Sequence, residues 1–303
     1  MGRASRRRGD AVDGVLLLDK SHGASSNAAL QRARRLLNAA KAGHAGTLDP
    51  MASGLLPVLL GEATKFSQLL LDADKAYETT LSLGVTTTTG DVEGEVLSRR
   101  EVVVDEAAIH AACARFVGEI EQVPPMYSAL KHQGRALYEY ARQGVEIERK
   151  ARCVRIHGIE VLAIAPESVS LRVRCSKGTY IRTLGEDIGE ALGCGAHLSA
   201  LRRIAAGPLG LDAATTMEAI EALPEDQRTA LLLPVDTLVA HFPEVRLDPP
   251  TAARFRLGQA VEAEGDVVEG ETCRVYGESF LGLGQWRAGR MQPQRLIAQA
   301  QES

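Results

Sequence analysis

"VRIHGIEVLAIAPESVSLRVRC", residues 154–175, holds two runs in which apolar and polar side chains alternate, 154–164 and 168–175, split by Ala-Pro-Glu. Alternation with period two marks a strand with one buried face. The three-residue break is far too short for a parallel crossover, so the two runs pair antiparallel. The sheet they belong to is therefore not a purely parallel one wrapped by βαβ units.

Working outward, "GVLLLDK" (14–20) reads as a buried strand and "SSNAALQRARRLLNAA" (25–40) as a helix capped by Ser25 or Ser26, with Leu30, Ala33, Leu36 and Leu37 as its apolar stripe. Residues 63–74 have helical spacing. In "AYETTLSLGV" (76–85), Tyr77, Thr79, Leu81 and Leu83 share one strand face, and 86–94 reads as a loop. A helix opened by Asp105 spans 105–117, another spans 179–193 with a glycine stop, and 197–207 reads as a strand. This order predicts an α+β fold on a mixed, mostly antiparallel sheet flanked by helices. The pattern breaks at "FPEVRLDPP" (242–250), and short strands with glycine turns follow. Residues 1–243 and a small β-domain over 244–303 are the expected division.

No run of 18 apolar residues occurs, so no membrane span is expected. Arg3, Arg6, Arg7 and Arg8 are not followed by an apolar segment, which argues against a secretory signal. Five cysteines without a CxxC pair read as reduced thiols of a cytoplasmic protein. The net charge of −4 hides an asymmetry: residues 212–303 hold 8 Lys/Arg against 15 Asp/Glu, the rest 27 against 24. Basic clusters stand at 21–48 (Arg32, Arg34, Arg35, Lys41, no acid) and at 131–155 (seven bases, three acids). Each is either a solvated face or a phosphate contact, because a phosphate backbone responds to the local patch and not to the total.

No P-loop, GxGxxG, GxSxG or HExxH pattern is present. Cys194 and His197 lack a metal-spaced partner. Asp49 in "GHAGTLDP" (43–50) remains. An aspartate before a proline closes a turn, or else it is reached by a substrate. In "SKGTYIRT" (176–183), Tyr180 and Arg182 share one face if the backbone is extended. A guanidinium beside Asp49 would hold the carboxylate ionised, fit to act as a nucleophile. Tyr77 and Tyr180 then sandwich a planar ring, with Leu201 as an apolar wall. Residues 122–152, opening on Val-Pro-Pro after Gln122 and mixing bases with three tyrosines, read as an excursion from the sheet made for contact.

"LDKSHGASS" (18–26), "GHAGTLDPMASGLL" (43–56), "PPMYSALKHQGRALYEYARQG" (124–144), "CSKGTYIRTLGEDIG" (175–189) and "GAHLSALRR" (195–203) closely resemble, in order and spacing, the TruB family of bacterial tRNA pseudouridine synthases. The resemblance runs from about 14 to 243 and is weaker beyond. It implies the pseudouridine synthase fold with a C-terminal PUA-like RNA-binding β-domain. The implied substrate is uridine 55 in the T stem-loop of tRNA, with no cofactor, because the isomerisation needs neither redox chemistry nor phosphoryl transfer. By this resemblance Asp49 is the nucleophile and Arg182 its ion-pair partner. Tyr77 stacks on the flipped base and is a candidate for removing the C5 proton. Tyr180 and Leu201 line the pocket, His44 contacts the RNA loop, and Lys20 lies near the site or is a solvated lysine at a strand end. Residues 124–152 match an RNA-gripping thumb that orders on binding. Attack at C1′, deprotonation at C2′ and addition at C6 all stay open as the first step. A cytoplasmic monomer without an obligatory protein partner is expected.

Ser21 stands where the family often has proline, and Thr88 where an acid is common. Residues 262–271 carry five acids and no base, so the C-terminal domain is either a cap or touches RNA through Arg287, Arg290 and Arg295. The rival reading is a tRNA-folding module with dispensable catalysis; a guide-RNA-dependent synthase is disfavoured by the uninterrupted 124–152 segment.

Overall fold

The computed structural model describes residues 9–263 and 268–298. The four N-terminal arginines and residues 264–267 of the acidic stretch lie outside the described residues.

The chain begins with β1 (Gly14–Lys20), α1 (Ser26–Leu36), β2 (Ala42–His44) and β3 (Ser53–Leu60). Ser25 caps α1 by accepting from the Ala28 N–H at 3.1 Å. The helix stops four residues before the sequence expectation because Asn38 takes a left-handed φ of 46°, a common way to end a helix. Next come α2 (Ser67–Asp72), β4 (Lys75–Leu83), β5 (Val85–Thr87), β6 (Val96–Arg99), α3 (Glu106–Arg115) and β7 (Gly118–Gln122). The helix expected over 63–74 is a 3₁₀ turn, Gly61–Phe66, followed by the short α2. The loop expected over 86–94 is in part a strand, since β5 and β6 form a ribbon around it. The 123–151 excursion holds a small ribbon, β8 (Lys131–His132) with β9 (Arg135–Ala136), and α4 (Leu137–Ala141). Then follow β10 (Arg152–Ala165), β11 (Ser168–Cys175), α5 (Ile181–Ala191), β12 (Ala196–Ala206), β13 (Leu209–Gly210), β14 (Thr215–Thr216) and α6 (Met217–Ala222). The last part is β15 (Glu244–Arg246), α7 (Pro249–Arg256), β16 (Thr272–Tyr276), β17 (Phe280–Arg287) and β18 (Arg290–Leu296).

The main sheet runs β14-β1-β3-β12-β4-β11-β10-β7, with β2 on β3 and β13 on β12. The β1–β14 and β3–β12 pairs are parallel and the other pairs antiparallel, so the sheet is mixed and mostly antiparallel, as the sequence predicts. The residues of β1 and β3 explain their unbroken apolar runs. Leu16, Leu18, Leu56, Val58 and Leu60 pack in one cluster with α1, α3 and α5, while Val15, Leu17, Leu55 and Leu59 pack in a second with Phe66, Tyr276 and Phe280. Strands buried on both faces read as continuous hydrophobic runs. In β4 and β11 only one face is buried, so their sequences alternate. The four-stranded sheet β15-β16-β17-β18 has its own cluster around Phe255, Val275 and Met291.

Half of the 21–48 basic cluster is engaged by the fold. Arg32 is bidentate to Glu221, at 2.6 Å for both bonds, and Arg34 donates to the Ala39 and Ala40 carbonyls beyond the end of α1.

Candidate active site

Parity along the strands aims the site. Even-numbered β1 residues point into the cluster under α5, so Lys20, two residues past Leu18, points the same way at the strand's end. On β4, Tyr77 pairs with Arg203 of β12 and Thr79 with Leu201, so all four side chains share that face. His44 pairs with Val58 of the same cluster. The ends of β1, β2, β4 and β12 thus converge on the loop that carries Asp49.

That loop is pinned at Gly46, Leu48 and Pro50. The Arg203 guanidinium donates to the Leu55 carbonyl at 2.7 Å and the Gly46 carbonyl at 3.0 Å. Gly46 has φ +88° and lies so close to Arg203 that a Cβ there would crowd the guanidinium. The buried Ser26 hydroxyl accepts from the Leu48 N–H at 2.8 Å and donates to the Leu48 carbonyl at 2.9 Å. The Pro50 carbonyl accepts from Gly23 N–H at 2.8 Å. Both readings of Asp49 then hold at once. Its carbonyl closes a turn by accepting from Ala52 N–H at 3.1 Å, while its carboxylate meets Arg182 Nη2 at 3.0 Å.

Arg182 is 4 % exposed and surrounded by acceptors. Nη1 donates to the Thr89 carbonyl at 2.9 Å, Nη2 to the Tyr127 carbonyl at 2.6 Å, and Nε faces the buried Asp91 carboxylate at 3.6 Å. Asp91 in turn accepts from the Thr89 hydroxyl at 2.5 Å and Glu93 N–H at 3.0 Å. Tyr180 precedes α5 in extended backbone, but Arg182 already lies in the first helical turn. The premise of two side chains on one extended face is corrected: the chain turns between them, and they reach the same pocket from a strand-like cap and a helix.

Residues 34–181 match the TruB family pseudouridylate synthase N-terminal domain, residues 182–240 the tRNA pseudouridylate synthase B C-terminal domain, and residues 243–297 the C-terminal domain of pseudouridine synthase II TruB. The chain belongs to the TruB family. It is 59 % identical over 287 residues to the tRNA pseudouridine synthase B of Azoarcus sp. (strain BH72), covering 95 % of both chains. It is 57 % identical over 302 residues to that of Burkholderia mallei (strain ATCC 23344), covering 97 % of this chain and 96 % of the other. Among solved structures, a chain of an H/ACA RNP bound to a substrate RNA containing 2′-deoxyuridine superposes with a TM-score of 0.72 at 25 % identity, over 98 % of this chain and 92 % of that one. A chain of a Cbf5-Nop10-Gar1 complex superposes at 0.69 with 30 % identity, over 91 % and 79 %.

The electrostatics of this TruB-family pocket differ from the sequence expectation at Asp49. Burial lifts its carboxyl above the usual carboxylate range; Arg182 opposes this, Asp91 adds to it, and Lys20 opposes it more weakly. Arg182 therefore limits a rise and does not produce a net fall. Burial also raises the Tyr77 hydroxyl, against the neighbouring Arg203 charge, and the Tyr180 hydroxyl. His44 is pushed down by burial and by Arg203, and its Nδ1 is buried without a hydrogen-bond partner among the described residues. Lys20 is not solvated at the rim. It is 1 % exposed, donates to the Ser21, Ala24 and Pro50 carbonyls at 3.0, 2.6 and 3.5 Å, and burial pushes it down to about 8. Leu201 is buried in the cluster floor. Four residues at the site escaped the sequence reading as site residues: Ser26, Asp91, Gln122 and Arg203. Parity with Leu201 could have flagged Arg203; for the others the signal is a contact between distant segments.

Proposed function

We propose that this chain isomerises uridine 55 to pseudouridine in the T stem-loop of tRNA. The observation that carries the reading is the Asp49–Arg182 pair, set against two tyrosines and an apolar wall at the converging strand ends. Such a pocket suits a planar base taken out of its stack, since it offers aromatic faces and a carboxylate with a fixed partner. Extruding a stacked base costs a few kcal/mol, and each aromatic contact returns about 1–3 kcal/mol. Asp49 is the nucleophile in this reading, and Arg182 keeps it from protonating further and fixes its direction. Tyr77 stacks on the base; burial raises its hydroxyl further above the ordinary tyrosine range, which favours stacking over a role as base at C5. Tyr180 and Leu201 line the pocket. His44, neutral and with a free buried nitrogen, contacts the RNA. Lys20 holds the Asp49 loop from beneath.

The reaction breaks the N1–C1′ bond, turns the base and joins C5 to C1′, with no change of oxidation state and no cofactor. Residues 1–243 form the catalytic part, with 124–152 as its RNA grip, and 244–303 the appended RNA-binding β-domain. The protein works as a cytoplasmic monomer that reads tRNA directly.

The experiment is tritium release from C5-tritiated uridine in an unmodified tRNA transcript. The wild type is expected to release one equivalent per tRNA. Asp49→Asn should release none while its tRNA Kd stays within about threefold, because the amide keeps the size and loses the nucleophile. A folded wild type that binds tRNA and releases no tritium would leave only the tRNA-folding reading.

A further inference from the structure

The excursion between β7 and β10 is attached to the Asp49–Arg182 pair at two points. Gln122, the last residue of β7, pairs with Arg152, the first of β10, so these two residues form its neck. The Gln122 side chain is 2 % exposed and turns inward. Its Oε1 accepts from the Tyr180 N–H at 3.0 Å, and its Nε2 donates to the Tyr180 carbonyl at 3.3 Å. One amide thus satisfies the Tyr180 N–H and adds a second donor to its carbonyl, which also accepts from the Leu184 N–H of α5 at 3.1 Å. Five residues past the neck, the Tyr127 carbonyl accepts from Arg182 Nη2 at 2.6 Å, nearer than the Asp49 oxygen at 3.0 Å on the same nitrogen. The excursion beyond is basic and carries exposed Tyr138 with the Arg142 guanidinium over its ring.

We propose that Gln122 is a positioning residue that locks the neck of the excursion to the start of α5, so that Arg182 is held against Asp49 only while the excursion is seated. This rests on the function proposed above. A side chain that both donates and accepts at that length is needed: a carboxylate lacks the donor, and asparagine falls short by one methylene. Once the lock is lost, the guanidinium shifts toward its remaining acceptors, the Thr89 carbonyl and Asp91. Asp49 then faces Lys20 from β1 and Asp91 from the 88–95 loop without its main counter-charge, and protonates more readily.

The test measures single-turnover tritium release against pH, with tRNA Kd and thermal unfolding, for wild type, Gln122→Met and Gln122→Glu. Gln122→Met, similar in length and without the two bonds, is expected to slow release about tenfold or more, since misplacing a reacting group by about 1 Å can cost about a hundredfold. Its Kd should stay within about threefold, and its acid limb should move to higher pH by about half a unit or more. Gln122→Glu keeps the acceptor and falls between the two. Should Gln122→Met not fold, Gln122→Asn takes its place with the same expectations. Unchanged release, or slowed release with an unmoved acid limb, overturns the inference. A wild type that releases no tritium fails the function itself, which is a separate result.

Discussion

Glu186 lies one helical turn after Arg182 on α5, and its carboxylate fills the space that a Cβ on Gly90, whose φ is +71°, would need. Burial, opposed by Arg182 and aided by Asp187, Asp91 and Glu190, pushes its carboxyl up to about 7. The sign of the linkage follows. Between the ordinary carboxylate range and pH 7 the folded chain keeps a proton that the unfolded chain loses, so this residue makes stability fall as pH rises through that window. Glu186→Gln never ionises and escapes the loss. Its unfolding free energy in urea is expected to exceed the wild type's by roughly 1–3 kcal/mol at pH 8 and to match it at pH 4. Equal differences at both values would refute the assignment. The same principle shows why Asp49 was read only in part from sequence. "GHAGTLDP" and "TYIRT" hold the two residues that pair, Asp49 and Arg182, yet the direction of the Asp49 shift depends on how deeply the loop is enclosed, and no local pattern encodes that.

At the scale of elements, alternation and caps were legible because they are local. β10, β11 and β12 stand where the period-two pattern places them, and Ser25 and Asp105 cap their helices. Junctions between elements were not legible. Gly54 is the first β3 residue after Ser53 and faces Arg203 across the parallel β3–β12 pair. A Cβ there would overlap the Arg203 carbonyl oxygen, and the backbone sits at φ +94°. Gly23 has a similar φ of +85°, but nothing lies within 4 Å of its Cβ position. Gly23→Ala should therefore cost only the left-handed strain, about 1–2 kcal/mol. Gly54→Ala adds a clash with main chain that cannot rotate away and should cost at least ~3 kcal/mol, with loss of the Arg203 bonds that hold the Asp49 loop. Chemical denaturation of the pair decides it: similar midpoints would mean the β3–β12 junction has slack that its geometry denies.

At the scale of the molecule, the small β-sheet was legible as a fold unit from its glycine turns, but its attachment was not. Tyr276, Phe280 and Leu283 of β16 and β17 belong to the same apolar cluster as Val15, Leu17, Leu55 and Leu59 of the main sheet. The Phe280 ring is 6.0 Å from Phe66 and 5.4 Å from Tyr276. Polar contacts frame this seam: the Tyr276 hydroxyl donates to Asp236 at 2.5 Å, Arg274 Nε to the Phe242 carbonyl at 2.8 Å, and Lys65 Nζ to the Leu296 carbonyl at 2.9 Å. A seam this apolar is expected to join the two sheets into one cooperative unit. Trp286 on β17 is the sole tryptophan, so its fluorescence reports the small sheet, while far-ultraviolet circular dichroism is dominated by the larger part. The two signals should unfold together in urea. Phe280→Ala removes a ring from the seam and should destabilise by about 3–5 kcal/mol, moving both transitions by the same amount. If the tryptophan transition alone shifts, the sheets unfold independently and the seam is a contact without cooperative weight. Coincident shifts mean that the face of β1 and β3 opposite the pocket is stabilised by the C-terminal sheet, and with it the strand ends that carry Lys20 and the Asp49 loop.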